Sequence, residues 1–286
     1  MRYRKEENME REQLYQLIDL QPEIVERLHK TGKEMDLKQA EPWLEGMLEG
    51  ERAARSYDGL KELLGEDADQ IKMLYCQLEC ARRAYDGYRE KQIEESIYRD
   101  TMKCFPRFLG ECRRRNGRMY FDRGWWTWRQ ISMRLFRIGA LEYEFAEHEG
   151  GNAIAIHIPS DADLSWEAVE DSLKQAGLFF QAYYPEYEYE KYTCDSWLLS
   201  PALQPFLASD SHILSFRNRF TILREENESR DYMEWLFRVP ADTAYEKLPE
   251  ETSLQRQVKE LLLQGGNTGT AYGMMEAGAG ASRPGT

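Results

Sequence analysis

The sequence predicts an α+β protein, a helical N-terminal half packed on a mixed α/β sheet domain, and three observations lead there. From Glu10 to about Gly110 apolar residues recur at three- and four-residue steps. Ile71, Leu74, Leu78, Ala81, Tyr85 and Tyr88 form one such stripe, the mark of a long helix. Leu141-Glu142-Tyr143-Glu144-Phe145 alternates apolar and acidic residues, as a half-wet strand does. Ala153–Ser160 then reads as a strand, and a long amphipathic segment, Leu164–Tyr184, joins it to a second strand within Tyr187–Ser200. Strand, helix and strand make a βαβ unit, so the two strands are expected to run parallel. The expected boundaries are residues 1–138 for the helical domain, 139–264 for the sheet domain and 265–286 for a flexible tail.

Composition narrows the class. The 286 residues are long enough for two units, and 42% hydrophobic with 31% charged residues is ordinary for a globular protein. A formal net charge of −13 argues against nucleic acid or an anionic membrane as a partner. No apolar run approaches a membrane span, and Met-Arg-Tyr-Arg-Lys-Glu-Glu holds no hydrophobic signal region. Cys76, Cys80, Cys104, Cys112 and Cys194 are odd in number and form no CxxC pair, so a reduced, cytoplasmic chain is expected. Cys76 and Cys80 stand one helical turn apart with no histidine near them, and no metal centre is expected. Oligomeric state is left open.

In chain order, Pro22 and Pro42 suit the first turns of helices, while Lys30-Thr31-Gly32 and Leu64-Gly65 read as helix ends. Ile93, Ile97, Thr101, Cys104 and Phe108 carry the helical spacing onward. The aromatic and methionine side chains of this half read as core packing. Asn116-Gly117 is a turn, and Trp125, Trp126 and Trp128 start a further helical segment ending near Gly139. Between Cys112 and Ile138 stand Arg113, Arg114, Arg115, Arg118, Arg123, Arg129, Arg134 and Arg137 against Asp122 alone. Such a stretch could recognise phosphates, or its arginines could pair with glutamates of the helical half; both readings stay open.

Past the hairpin turn at Glu149-Gly150-Gly151-Asn152, the Ala153–Ser160 strand puts Ile154, Ile156 and Ile158 on one face. Ala153, Ala155 and His157 take the other. Trp166, Val169, Leu173, Ala176 and Phe180 stripe the next helix, with Ser165 or Asp163 as its N-cap. Ser200-Pro201 reads as a cap and first helical position, and Ser211–Phe220 as a short helical piece. Phe220–Arg224 and Tyr232–Arg238 read as closing strands, and Leu254–Leu263 as a last helix.

Three segments carry a family resemblance: His157-Ile158-Pro159-Ser160, Cys194-Asp195-Ser196-Trp197-Leu198-Leu199-Ser200-Pro201, and Ser211-His212-Ile213-Leu214-Ser215-Phe216. They resemble bacterial two-domain proteins that join a helical N-acyltransferase N-terminal domain to a Gcn5-related N-acetyltransferase-like (GNAT-like) C-terminal domain. The resemblance covers nearly the whole chain apart from the tail. It implies transfer of an acyl group from acyl-CoA or acetyl-CoA, as donor substrate, to a small-molecule or peptide amine. In the superfamily the fourth and fifth strands splay to admit the pantetheine arm, and N–H groups at the following helix start hold the pyrophosphate. Here those would be the Ala153–Ile158 strand and residues 160–167, which brings in Ser160 and Ser165, with Ser196 across the cleft and Arg118 and Arg129 as cations for the phosphates.

The chain departs from the superfamily at its glycine-rich loop. Pro159-Ser160-Asp161-Ala162-Asp163-Leu164-Ser165 stands in its place, with two carboxylates where a pyrophosphate would sit. At about 4 Å and an effective dielectric near 20, each like-charge contact costs about 4 kcal/mol. A helix dipole returns only about 0.3–1 kcal/mol. A degenerate, non-catalytic fold that binds a ligand or partner is therefore the alternative to an enzyme. For the chemistry, His157 is the candidate base, Cys194 a candidate acyl-accepting nucleophile and His212 a weaker proton-transfer group; each has a structural reading as well.

Overall fold

Proline and glycine punctuate the helical half. The structure, a computed structural model, describes residues 9–278 and divides into two units, Met1–Arg137 and Ile138–Thr286. After α1 (Arg11–Leu17), Pro22 opens α2 (Pro22–Glu34) and Pro42 lies in the first turn of α3 (Glu41–Met47). Both sit where a missing N–H leaves no bond unmade. α4 (Ala53–Leu64) ends at Gly65, and α5 (Ile71–Glu90) buries Leu74, Leu78, Ala81 and Tyr88 of the expected stripe. α6 (Glu95–Met102) and α7 (Cys104–Asn116) follow, the latter stopped by Gly117 at φ +73°.

Two local expectations for this half fail. Gly32 ends nothing, because α2 continues to Glu34. A Cβ built there would lie 2.8 Å from the Tyr75 hydroxyl, so the glycine serves the close approach of α2 to α5. Beyond Gly117, α8 (Gly124–Ile131) stops well short of Gly139, and β1 (Leu135–Ile138) takes over. Leu-Phe-Arg-Ile fits a helix or a short buried strand equally well by spacing. Several arginines of the basic stretch find acids within this half. Arg113 pairs with Glu23, Arg115 with Asp122, and Arg118 with Asp69.

The sheet has the order β1-β2-β3-β4-β6-β5. β2 (Leu141–His148) and β3 (Gly151–His157) form a hairpin in register from His148↔Gly151 to Glu142↔His157. α9 (Trp166–Tyr183) covers the face bearing Tyr143 and Phe145. Phe145 packs edge-on to Phe180 and Tyr184, and the Tyr143 hydroxyl lies 2.8 Å from that of Ser172. Ser172 Oγ also donates to the Ile138 carbonyl and accepts from Leu141 N–H, tying the β1–β2 turn to α9. β4 (Lys191–Ser196) runs parallel to β3, as the βαβ reading requires.

The remainder departs from expectation in two places. Tyr232–Arg238 is not a strand: α11 (Tyr232–Trp235) forms there and buries Tyr232 and Met233 against Trp197, Leu203 and Val258. Before it come α10 (His212–Arg217) and β5 (Thr221–Glu226), and after it α12 (Ser253–Leu263), capped reciprocally by Thr252 and Gln255. The expected flexible tail holds β6 (Thr270–Glu276), which pairs with β4 on one side and β5 on the other. A Cβ at Gly273 would fall 3.1 Å from Phe220 Cβ, so close packing there favours a glycine that weakens the strand signal. The tail expectation for residues 279–286 lies outside the described residues.

Candidate functional site

The sheet parts between β3 and β4. On the N-terminal side the two strands are stitched together. The Asn152 amide donates to the Glu188 carbonyl (3.1 Å), and the Tyr187 hydroxyl bonds the Ala146 and Ala153 carbonyls at 2.5 and 3.2 Å. Ladder pairing then joins Ile154 to Tyr192 and Ala155 to Thr193, and goes no further. Yet β3 stays paired to β2 as far as His157, and β4 to β6 as far as Ser196. Two half-sheets therefore diverge toward the C-terminal ends of β3 and β4. Pro159, with no N–H to donate, stands just past the point where pairing stops.

Alternation decides which side chains meet there. His157, Ala155 and Thr193 share the face opposite α9, with Glu142 and Glu144 of β2 beside them. His157 Nε2 lies 2.8 Å from Glu144 Oε2, the histidine 26% and the glutamate 15% exposed. An ionised carboxylate only accepts, so in the neutral imidazole Nε2 carries the proton and Nδ1 is the basic atom. Asp195 falls on the same face from the other half-sheet. Partial desolvation of this half-exposed carboxyl pushes it above the usual range; Arg224 at 3.7 Å opposes that shift, and Glu226 and Asp231 add to it.

Cys194 points the other way. It is buried, and burial pushes its thiol well up, with Asp195 adding to the shift. A thiol so placed stays protonated at neutral pH and is a poor nucleophile. Ser165 caps α9, accepting from Ala168 N–H at 3.4 Å, and its own N–H donates to Asp163 Oδ1 at 2.8 Å. Ser196 accepts from Leu198 N–H at 3.2 Å, and Ser160 opens the loop that leads to α9. The Asp163 carboxyl is held below its usual range by those Ser165 bonds, with the imidazole of His212 helping. His212 thus stands near Asp163, at the start of α9.

Arg219 stands there too. Its guanidinium is 4% exposed, pairs with Glu170 and lies 3.8 Å over the Trp166 ring, in the first turns of α9. Arg118 and Arg129, expected to serve the donor phosphates, are engaged inside the helical unit. Arg118 pairs with Asp69 and lies over Tyr120; Arg129 lies over Trp126 and Trp128. Sequence reasoning missed Glu144, Asp195 and Arg219. The hairpin register was a usable signal for the first, since a short turn at Glu149-Gly150 sets His157 among the β2 glutamates. Arg219 carried no pattern at all. Among the described residues no helix is long and apolar enough to cross a membrane, and no group of three or more His, Cys, Asp or Glu could hold a metal ion.

Two family models cover most of the chain. Residues 9–133 match the N-acyltransferase N-terminal domain and residues 135–275 the GNAT-like C-terminal domain. The chain belongs to the two-domain N-acyltransferase family. Family membership gives the reaction class, N-acyl transfer. Among solved structures it is similar to an acyltransferase in complex with decanoyl-CoA and teicoplanin, at 20% identity and TM-score 0.79 over 96% of this chain and 91% of that one. A tryptophan-to-alanine acyltransferase variant with octanoyl-CoA matches at 20% identity and TM-score 0.79, over 93% of this chain and 87% of that one. A complex of an acyltransferase with CoA and 10C-teicoplanin matches at 21% and 0.77, over 96% and 88%. At such identity the likeness carries the fold. Curated protein sequences give no match.

Proposed function

We propose that this chain moves an acyl group from acyl-CoA to a primary amine, with the thioester seated where β3 and β4 part and His157 as the base. The single observation that carries the reading is the arrested β3–β4 ladder, which ends at Ala155↔Thr193 and leaves His157 beyond it. Backbone groups at the diverging ends, freed from each other, are available to polarise a thioester carbonyl. Nδ1 of His157 takes a proton from the amine, the amine nitrogen attacks the carbonyl carbon, and the C–N bond forms as the C–S bond breaks. The imidazolium then returns the proton to the departing thiolate sulfur. Glu144 holds the ring through Nε2–H and offsets the charge that develops on it.

The donor's diphosphate is read as lying at the start of α9, where the helix dipole favours an anion against Asp161 and Asp163; Arg219, buried and paired with Glu170, and His212 stand at the same end of the helix. Medium-length acyl donors suit the reading, because the related enzymes named above were crystallised with octanoyl- and decanoyl-CoA. A small-molecule amine acceptor is consistent with the same relatives, two of which hold teicoplanin or 10C-teicoplanin. A cytoplasmic setting fits five cysteines that are all free thiols.

The test is thermal shift and thiol release with acetyl-, octanoyl- and decanoyl-CoA. A ligand at about a hundred times its dissociation constant adds about 2.7 kcal/mol of stability. Stabilisation together with amine-dependent thiol release supports the enzyme. Stabilisation without release, across a broad amine panel, supports the non-catalytic alternative.

A further inference from the structure

Beyond the last β3–β4 pair, each half-sheet sends one ionisable side chain onto the same face. His157 lies two residues past Ala155 on β3, and Asp195 two residues past Thr193 on β4. In parallel strands that start from paired positions, equal steps put the two side chains on opposite lips of the opening, level with each other. We propose that Asp195 receives the acceptor's ammonium group and holds its nitrogen between the two lips, so that Asp195 is the acceptor-binding residue and His157 the proton acceptor. The proposal rests on the acyl-transfer reading above and assigns the acceptor side of that site.

The surroundings of Asp195 support the role. Its present counter-ion is loose: Arg224 approaches only to 3.7 Å, and the two side chains are 51% and 67% exposed. An ammonium can therefore take the carboxylate without breaking a tight bidentate pair. Arg224 stands at a register shift in the β5–β6 ladder and lies 5.4 Å from the centre of the Tyr272 ring, so the ring face can hold the guanidinium when Asp195 is taken. Tyr272 is the direct cross-strand neighbour of Asp195, and its hydroxyl is fixed 2.9 Å from His148 Nδ1. Charges facing Asp195 from nearby elements are Glu226 of β5 and Asp231 at the start of α11, both negative. The carboxylate thus lies in a field that one arginine does not cancel, and a cation is the complementary ligand.

The step balances. The ammonium gives one proton to His157 Nδ1 and becomes the neutral amine, which attacks the thioester carbon; the C–S bond breaks, the imidazolium returns its proton to the thiolate sulfur, and the second proton lost by the attacking nitrogen passes to water, leaving one N–H on the amide. One equivalent of thiol is released per amide.

The experiment uses the full chain with octanoyl-CoA and two nucleophiles. 2-Phenylethylamine is an ammonium at neutral pH, and hydroxylamine is uncharged. Asp195→Asn is expected to raise KM for 2-phenylethylamine about tenfold more than KM for hydroxylamine, with Asp195→Glu recovering part of the loss. Saturation-transfer NMR of 2-phenylethylammonium, which needs no turnover, is expected to show contact with the wild type and little with Asp195→Asn. Equal KM changes for both nucleophiles, or undiminished NMR contact in Asp195→Asn, would overturn the proposal. Absence of turnover in the wild type counts against the acyl-transfer reading, and the NMR contrast then still decides whether Asp195 binds the cation. Absence of contact in the wild type overturns the assignment.

Discussion

His157 Nε2 and Glu144 Oε2 lie 2.8 Å apart, across the two strands of one hairpin. The register pairs His157 with Glu142, so Glu144 reaches the ring diagonally from the next same-face position of β2. In the neutral imidazole that bond places the proton on Nε2, and the proposed proton transfer falls to Nδ1. Glu144→Gln keeps the shape but can present an amide N–H to the ring, reversing the tautomer. The expected result is a fall in kcat on the order of 10²-fold or less, smaller than the loss on removing the base, with KM for acyl-CoA unchanged. Steady-state thiol release measures both constants.

Cys194 is the contrasting case. It belongs to the α9 face, and burial pushes its thiol up, so Cys194→Ala is expected to retain kcat within about twofold while losing about 1 kcal/mol of stability. Cys76 is likewise pushed up, to about 12, by burial. A thiol kept neutral by the fold stabilises it fully at pH values below the ordinary thiol range. As the pH rises above about 8.5 the unfolded chain releases those protons and the folded one does not, so stability should fall. Urea melts at rising pH, compared with the melts of Cys76→Ala, check this.

Glu79 sets the opposite dependence in the helical unit. Burial disfavours its charge, but hydrogen bonds from Arg82 and Arg83 outweigh that, with Arg11 adding, and hold the carboxyl down at about 2. A carboxyl so depressed stabilises the fold wherever the unfolded glutamate is already ionised, by about 3 kcal/mol here. That contribution is lost as the pH falls from about 4.5 toward about 2. Glu79→Gln should lower stability at neutral pH by about 3 kcal/mol and flatten the acid limb of the melt, read by circular dichroism.

Removing residues 265–286 tests the strand that replaced the expected tail. β6 stands between β4 and β5 and supplies both with hydrogen bonds. The shortened chain should lose the native near-ultraviolet signal of the sheet unit while keeping helical signal, because β5 then has no strand to pair with.

How much could be read beforehand follows from the same particulars. The alternation in Leu141–Phe145, the isoleucines of β3 and the stripe of α9 wrote the βαβ unit plainly, because one face of each element meets one core. β6 was hidden because Gly273 and the flanking Gly269 meet close backbone contacts, and such glycines look like loop. α11 was hidden because four residues hold too few turns to show a period, and aromatic content pointed to a strand. At the site, His157 was legible as a lone histidine on an alanine face. Its partner depended on hairpin register, and Asp195 on where a ladder stops, which sequence spacing does not state.

The most direct test of the central claim is thiol release from octanoyl-CoA by His157→Ala beside the wild type, with octanoyl-CoA binding followed in parallel by calorimetry. Removal of the base should lower kcat about 10²–10⁴-fold while acyl-CoA affinity and melting temperature stay close to wild type. Undiminished turnover in His157→Ala, at unchanged affinity, would contradict the account.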